Sequence, residues 1–209
     1  MPSVPAQIRA ALAAALPDYG LDPTPERLDR LTAYLQRLVE WNQRVRLVGQ
    51  ADAATLARRH VGESVYLAQL LPLAGETLLD AGSGAGFPGL ALQLAFPSLK
   101  TTLVESKAKK AAFLAAVCRE QGLGRVLCQR LEATSVRAEI VTVRALEELA
   151  EGGPERFAHL LISGGKLAAW ISLDLAATWR QRWPQWRWQP PVLLPGTRQR
   201  AIVLAQPPG

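Results

Sequence analysis

Residues 78–89 read LLDAGSGAGFPG, and this stretch decides the fold of the chain. A short apolar run ends there in a turn with glycines at positions 82, 84, 86 and 89. Glycine permits positive φ and lets a ligand approach bare backbone, while a helix after such a turn presents free N–H groups at its start. Because the next residues predict a helix, the stretch predicts a strand, a ligand-binding turn and a helix.

Strands and helices alternate beyond this turn. TTLVES, VLCQR and EIVTVRA predict the second, third and fourth strands, and KAKKAAFLAAVCREQGL predicts a long helix after the second. A helical stretch through Leu161 then leads to GKLAAWISL, the fifth strand. WRWQPPVLLPG and RQRAIVLAQ have no helix between them and predict an antiparallel edge hairpin. The sequence therefore predicts an α/β fold with a mostly parallel, seven-stranded sheet covered by helices.

Residues 1–75 are predicted to be helical. Leu28, Leu31 and Leu35 keep a helical spacing, and Thr24 followed by Pro25 is typical of a helix start. A further helical segment, roughly from residue 51 to residue 71, stops at a proline. We therefore expect an N-terminal helical extension over residues 1–75, packed on a core formed by residues 76–209.

Composition limits the class of protein. The 209 residues are 49% hydrophobic and 20% charged, which excludes wholesale disorder. No apolar run reaches the roughly 18 residues that cross a bilayer, so we expect a soluble protein without a membrane partner. Two cysteines without a disulfide framework fit a reducing cytoplasm, and we expect a monomer. Cys118 and Cys128 belong to no metal-ligand cluster and are predicted to be small buried hydrophobes, so no metal is expected. The net charge of +6 suits a polyanionic partner.

Two cofactors compete for the glycine-rich turn. From Gly84 the sequence matches GxGxxG, a dinucleotide pattern, which leaves a nicotinamide-dependent oxidoreductase as an alternative. From Asp80 it is DxGxGxG, and Asp80 would repel a pyrophosphate. S-adenosylmethionine has a cationic methionine end and no phosphate, which favours this cofactor. Glu105, at the end of the second strand, is placed to accept both ribose hydroxyls.

Several motifs together resemble one known family. DAGSGAGFPGL, VESKAKKAAFL and IVTVRA, preceded by WNQRVRLV and RHVGES, are similar to the ribosomal small subunit methyltransferase G family, also called glucose-inhibited division protein B. The resemblance runs from about Leu38 to about Gly165. It implies a Rossmann-like class I methyltransferase with a helical extension, which methylates N7 of a guanine in 16S ribosomal RNA of the small subunit with S-adenosylmethionine.

The resemblance also implies a cofactor site. Gly82 and Phe87 belong to it, Leu131 and Glu132 flank the adenine, and Arg144 faces the pocket. Together with the residues argued above, the candidate cofactor-binding set is Asp80, Gly82, Gly84, Gly86, Phe87, Glu105, Ser106, Leu131, Glu132 and Arg144.

The fourth strand lacks a motif that methylation of other acceptor atoms requires, which fits the guanine N7 that the resemblance implies. Methylation of an exocyclic amine needs an Asp/Asn-Pro-Pro-aromatic clamp there, whereas this chain has VTVR. Neither cysteine lies in a loop suited to covalent attack on a pyrimidine. Guanine N7 carries no proton to remove, so alignment with the methyl group is enough. Arg144 is the candidate catalytic residue, with the role of orienting or polarising the guanine.

Basic side chains in three parts of the chain are candidates for RNA contact. They are Arg59, His60, Lys107, Lys109, Lys110, Arg198 and Arg200. Tryptophans and arginines alternate over residues 179–188, where packing against the sheet is favoured over base stacking. The chain departs from the family at Ile171-Ser172, at Arg198-Gln199 and at Glu63, where the family has aspartate. The first departure, where family members usually have Lys-Gly, leaves open a non-catalytic RNA-binding or assembly factor with a vestigial cofactor pocket. The change at Glu63 questions a local role and not the cofactor.

Overall fold

A computed structural model of the chain describes residues 3–49, 51–144 and 152–208. Within this part, one mixed sheet runs through the molecule in the order β3-β2-β1-β4-β5-β8-β6, and β7 also pairs with β8. Its strands are β1 (Thr77–Ala81), β2 (Lys100–Val104), β3 (Arg125–Leu127), β4 (Ala138–Arg144), β5 (Leu161–Ser172), β6 (Arg187–Trp188), β7 (Val192–Leu193) and β8 (Arg200–Gln206). β1 to β5 are parallel, and β8 is antiparallel to each of its neighbours. The predicted α/β fold with a mostly parallel sheet is thus confirmed.

The edge of the sheet has two short strands where the sequence predicts one. β6 and β7 both pair with β8, and Pro190 and Pro191 lie between them. Proline has no N–H to donate to a sheet ladder, so the strand is interrupted there. The sheet in the described residues accordingly has eight strands instead of seven.

The helices flank this sheet and precede it. They are α1 (Val4–Ala15), α2 (Pro25–Asn42), α3 (Ala53–Thr55), α4 (Glu63–Val65), α5 (Gly89–Ala95), α6 (Ala108–Gln121), α7 (Glu155–Ala158) and α8 (Leu173–Arg182). A π-helical segment (Leu56–Gly62) joins α3 to α4. Thr24 caps α2 by accepting a hydrogen bond from the Arg27 amide at 3.4 Å, as its position predicts. None of the described helices is long and apolar enough to cross a membrane.

The predicted helix after β4 is only partly present. α7 occupies four residues, and Leu161 is already the first residue of β5. The early part of that prediction falls on residues 145–151, which lie outside the described residues. The predicted C-terminal end of the helix was therefore wrong, because Leu161 pairs with Ala138 of β4 in the sheet.

One apolar cluster crosses the expected boundary at residue 75. Leu31 and Leu35 of α2 belong to the same buried cluster as Leu90 of α5 and Phe113 of α6. The extension therefore packs on the helices that cover one side of the sheet. The division into an extension of residues 1–75 and a core of residues 76–209 stays a prediction.

A second cluster contains the tryptophans of the C-terminal segment. Trp179 of α8 is completely buried and Trp186 is nearly so, both in a cluster with Leu79 of β1 and Val141 of β4. Trp188 packs on this cluster and lies 6.3 Å from Trp179 between ring centroids. The packing role predicted for the tryptophan-rich segment is confirmed for Trp179 and Trp186.

Candidate active site

The glycine-rich turn lies between the end of β1 and the start of α5. The amides of Gly82 and Ser83 both donate to the carbonyl oxygen of Val104 in β2, at 2.9 and 3.0 Å. Gly84 has a φ of +57°, and a Cβ built on it would meet only the carbonyl oxygen of Gly82, at 3.8 Å. The backbone at Gly84 therefore faces open space, which allows close approach of a ligand.

Tyr34 of α2 supports this turn from below. Its hydroxyl donates to the carbonyl oxygen of Ala85 at 2.7 Å, and its ring lies 5.5 Å from that of Phe87 between centroids. Phe87 is buried and precedes Pro88 through a cis peptide bond. A side chain on Gly86 would come within 2.8 Å of the Tyr34 hydroxyl. The helical extension thus fixes the turn and requires glycine at position 86.

Asp80 lies beneath the turn rather than on its open side. The residue is 1% exposed, and Oδ1 accepts a hydrogen bond from the Thr142 hydroxyl at 2.7 Å. A Cβ on Gly89 would lie 2.4 Å from the Asp80 Cβ, so these two residues are in tight contact. Burial raises the pKa of Asp80 to about 6, against the hydrogen bond from Thr142. Asp80 therefore supports the turn from within, and its predicted contact with a cofactor stays a prediction.

Glu105 follows β2 and accepts hydrogen bonds from two backbone amides. Oε2 accepts from Gly84 at 2.9 Å and Oε1 from Lys107 at 2.7 Å, and the residue is 7% exposed. A carboxylate has about four acceptor sites, so two remain for hydroxyl groups. The structure thus pairs Glu105 with the glycine-rich turn, and its predicted contact with the ribose hydroxyls stays a prediction. Ser106, beside it, is exposed.

Leu131 and Glu132 lie in a short 3-10 turn, Leu131–Ala133, after β3. Leu131 is half-buried and Glu132 is exposed. Glu132 accepts a hydrogen bond from Arg156 at 2.9 Å, and backbone and side-chain hydrogen bonds lower its pKa. Because parallel strands end at one edge, both residues share the sheet edge that carries Glu105 and the glycine-rich turn.

Arg144 ends β4 at the same edge and is held from the helical extension. Its Nη2 donates to Oε2 of Glu63 at 2.9 Å and to the carbonyl oxygen of Arg59 at 2.7 Å. Glu63 is 2% exposed, and its Oε1 also contacts Nη1 of Arg200 at 2.5 Å. Arg200 was predicted to contact RNA, but the structure pairs it with a buried carboxylate.

Glu63 is a site residue that the sequence analysis missed. It appeared there only as a departure from the family pattern within RHVGES. The available signal was a charged residue among the apolar positions of a helix that packs on the core, because a buried charge requires a partner. No sequence spacing identifies Arg144 and Arg200 as the partners of Glu63, since both lie in strands that are distant from Glu63 in sequence.

His60 covers Phe87 from the π-helical segment. The ring centroids are 4.8 Å apart and the planes are inclined by 33°. Burial, and after it the positive charges of Arg144 and Arg59, lowers the pKa of His60 to about 4. The imidazole is therefore neutral at physiological pH, and the side chain lies against the turn rather than fully in solvent.

The other candidate RNA residues lie outside this buried group. Arg59, Lys107, Lys109 and Arg198 are exposed, and Lys110 is half-buried. Lys107 and Arg59 are hydrogen-bonded to the site through their backbones: the Lys107 amide donates to Glu105, and the Arg59 carbonyl oxygen accepts from Arg144. The structure thus brings Arg59, His60 and Arg200 to Arg144, but not the lysines of α6 or Arg198.

The two cysteines differ from each other. Cys118 is buried in α6, and burial raises its pKa to about 11, which disfavours the thiolate. Cys128 was predicted to be buried in a strand, but it is exposed because β3 ends at Leu127. Among the residues with described positions, no three His, Cys, Asp or Glu side chains form a group that could hold a metal ion.

The site has the features that S-adenosylmethionine requires. Gly84 presents bare backbone next to a buried carboxylate with free acceptor sites, which suits a ribose. Nη1 of Arg144 is buried and has no hydrogen-bond partner within the described ranges, so a donor remains for a ligand. These residues lie on adjacent strands, at the sheet edge where α/β proteins bind their ligands.

Comparison with known proteins gives a consistent result. Residues 27–177 match the family model described as rRNA small subunit methyltransferase G. The chain is 40% identical to the ribosomal RNA small subunit methyltransferase G of Chloroflexus aggregans, over 72% of this chain and 66% of that protein. It is 39% identical to the protein of the same name from an Anaeromyxobacter species, over 79% of each chain.

A solved structure shares the fold at low sequence identity. The ribosomal protein L11 methylase of Lactobacillus delbrueckii subsp. bulgaricus superimposes with a TM-score of 0.58 and 12% identity, over 71% of this chain and 79% of that one. At this identity the likeness concerns the fold alone.

Proposed function

The chain belongs to the rRNA small subunit methyltransferase G family, and we propose that it transfers a methyl group from S-adenosylmethionine to N7 of a guanine in 16S ribosomal RNA. It is an S-adenosylmethionine-dependent methyltransferase of the class I fold. The observation that carries the proposal is the arrangement of Glu105, the glycine-rich turn and Arg144 along one sheet edge.

The cofactor supplies an electrophilic methyl group on a sulfonium sulfur. We assign the ribose to Glu105, the adenine to Leu131 and its neighbours, and the methionine end to the bare backbone of the turn. Gly82, Gly84, Gly86 and Phe87 shape this surface, and Asp80 stabilises it from beneath. This order along β3, β2 and β1 brings the methyl group toward the end of β4, where Arg144 lies.

The protein then has to orient the guanine. N7 forms the new bond to carbon with its in-plane lone pair, the bond from carbon to sulfur breaks, and S-adenosylhomocysteine leaves. N7 carries no proton, so no general base is needed. We assign the guanine to the end of β4, next to the neutral His60 and to the ion pair of Glu63 and Arg144. Proximity and orientation are therefore the main source of rate enhancement.

The exposed basic residues are assigned to the phosphate backbone. Arg59, Lys107, Lys109 and Arg198 are free to reach RNA, whereas Arg200 and His60 act from within the site. We place the enzyme in the cytoplasm as a monomer, with the small ribosomal subunit or its RNA as partner. Affinity carried by phosphate contacts falls as salt concentration rises.

The experiment is transfer of a labelled methyl group from S-adenosylmethionine to unmodified 30S subunits and to free 16S RNA, followed by nucleoside analysis. We expect labelled 7-methylguanosine at one position. Label in another nucleoside would contradict the assigned acceptor atom. Cofactor binding without any transfer would favour the non-catalytic assembly factor instead.

A further inference from the structure

Three arginines of the C-terminal segment carry charge that is not balanced by a carboxylate. Arg180 and Arg182 lie in the last turn of α8, Arg187 begins β6, and all three are exposed. None of them forms an ion pair with a residue whose position is described, whereas Arg9 and Arg37 of the extension each contact a carboxylate. The dipole of α8 favours cations in its last turn, but it gives no reason for Arg187 in a strand.

Trp183 lies among these arginines and differs from its neighbours in exposure. It is half-buried, whereas Trp179 is completely buried and Trp186 nearly so. The guanidinium carbon of Arg182 lies over the Trp183 ring, 4.8 Å from its centroid. A Cβ on Gly153 would come within 2.3 Å of that ring, so the indole packs against bare backbone and is held in place. The segment thus presents a fixed aromatic ring with a guanidinium stacked on it.

This surface lies at the opposite edge of the sheet from the glycine-rich turn. Arg187 pairs with Gln206, the last residue of β8, whereas Arg200, the first, contacts Glu63 in the candidate active site. A strand rises about 3.3 Å per residue, so the two ends of β8 are about 20 Å apart. A group bound at the end of β4 and a group bound between α8 and β6 are therefore separate.

The residue types indicate RNA with unpaired bases. Guanidinium groups bind phosphate oxygens through paired hydrogen bonds, and bases stack on aromatic rings and on arginine planes. The bases of a duplex are already stacked on one another, so the ring of Trp183 suits a single-stranded or looped segment. An acidic protein would use the arginines and leave the ring without a role. Glu155 lies beside this segment, where its Oε1 accepts hydrogen bonds from Gln185 and Trp186, both at 2.9 Å.

We propose that Arg180, Arg182, Trp183 and Arg187 bind a second, unpaired segment of the ribosomal RNA, remote from the guanine that is methylated. The inference rests on the proposed function, which makes RNA the partner. The arginines contact phosphates, and the Trp183 ring with its stacked guanidinium contacts a base. This surface adds affinity for a large folded RNA and takes no part in methyl transfer or in cofactor binding.

Filter binding of radiolabelled 16S RNA tests the arginines. We expect the triple variant Arg180→Gln/Arg182→Gln/Arg187→Gln to bind at least about tenfold more weakly than the wild type, because phosphate contacts are lost. The slope of log affinity against log salt concentration should decrease in magnitude by about two, since each contact to a single strand contributes about 0.7. Wild-type affinity and slope in this variant would overturn the inference.

A single variant separates stacking from charge. We expect Trp183→Leu to bind 16S RNA at least about fivefold more weakly with an unchanged salt slope, because a stacked base is lost and no phosphate contact is. Unchanged affinity would overturn the role of the ring. The arginine variant does not alter the packed indole, so its result stands even if Trp183→Leu does not fold.

A matched triple variant controls for net charge. Arg9→Gln/Arg37→Gln/Arg119→Gln removes the same three positive charges, and Arg119 occupies the last turn of α6 as two of the tested arginines do in α8. We expect this control to bind 16S RNA about as tightly as the wild type. Equal losses in the two triple variants would mean that net charge alone attracts the RNA, and would overturn the inference.

A short stem-loop around the methylated guanine locates the contact. We expect the wild type and the first triple variant to bind it equally, and the variant to show a higher KM for 30S subunits with kcat and S-adenosylmethionine affinity unchanged. Equal losses of affinity for the stem-loop and for 16S RNA would place the arginines at the methylated segment and overturn the inference.

RNA binding and methyl transfer fail in distinguishable ways. A wild type that binds 16S RNA but transfers no methyl group would overturn the proposed reaction, and a loss of affinity in the first triple variant would then still support this surface. Absence of 16S RNA binding by the wild type would overturn both.

Discussion

Glu105 couples cofactor binding to the shape of the glycine-rich turn, because its carboxylate accepts the Gly84 amide and is the assigned ribose contact. We expect Glu105→Ala to weaken S-adenosylmethionine binding at least about tenfold, since it removes charge-assisted hydrogen bonds. Isothermal titration calorimetry measures this change. Glu120→Ala, an exposed glutamate of α6, is the control. Unchanged affinity in Glu105→Ala would reject the placement of the ribose.

His60 makes the free energy of unfolding depend on pH. Its pKa is about 4 in the folded protein and 6.5 ordinarily, so the unfolded chain binds the proton first as the pH falls below 6.5. The free energy of unfolding therefore decreases as pH falls from 6.5 to about 4, and His60 has no effect above that window. Asp80 acts in the opposite direction, because its pKa is raised from 3.8 to about 6 and its folded form binds the proton first.

A variant isolates the histidine from this opposing effect. His60→Phe keeps an aromatic ring against Phe87 and removes the titrating group. We expect the stability of His60→Phe relative to wild type to increase as the pH is lowered from 6.5 to about 4, and to be constant at higher pH. Urea denaturation at a series of pH values measures the difference. A difference that does not vary with pH would contradict the burial of a neutral His60.

At the scale of elements, α2 acts as a support for the turn between β1 and α5. The Tyr34 hydroxyl is buried and is hydrogen-bonded to the carbonyl oxygen of Ala85. Tyr34→Phe keeps the ring, and we expect it to lower the free energy of unfolding by about 1–2 kcal/mol, because the buried carbonyl loses its donor. Tyr66→Phe, at a half-buried tyrosine of the same extension, is the control with a smaller effect. Equal effects in urea denaturation would contradict this role of Tyr34.

Elements with a regular period could be predicted from the sequence, and contacts between distant elements could not. The run from β1 through α5, β2 and α6 was identified because apolar spacing and glycines mark each boundary. Glu105 was identified as a candidate site residue because it stands at the end of β2. The pairing of Glu63 with Arg144 did not, because the partners are far apart in sequence and meet only when the extension docks. The burial of Asp80 beneath the turn did not follow from the sequence either, since spacing does not say which way a side chain at a strand end points.

For the molecule as a whole, the extension and the sheet share one apolar cluster. Leu31 and Leu35 are completely buried against helices that belong to the sheet layer, and Phe113 contacts both Tyr34 and Trp41 of α2. Neither part buries this surface without the other, so the chain should unfold as one cooperative unit.

We therefore expect urea transitions followed by far-UV circular dichroism and by tryptophan fluorescence to coincide. The first signal is rich in the helices of the extension. Five of the six tryptophans that give the second signal lie outside the extension, and Trp179, Trp186 and Trp188 belong to or pack on a different cluster. A chain that begins at residue 76 should show no cooperative transition, because Leu90 and Phe113 would lose the apolar residues that cover them. If the ellipticity changed at lower urea than the fluorescence, or if the shortened chain unfolded cooperatively, the extension would be an independent unit instead. Coincident transitions would mean that a destabilising change in α2 lowers the stability of the sheet edge that carries the glycine-rich turn as well.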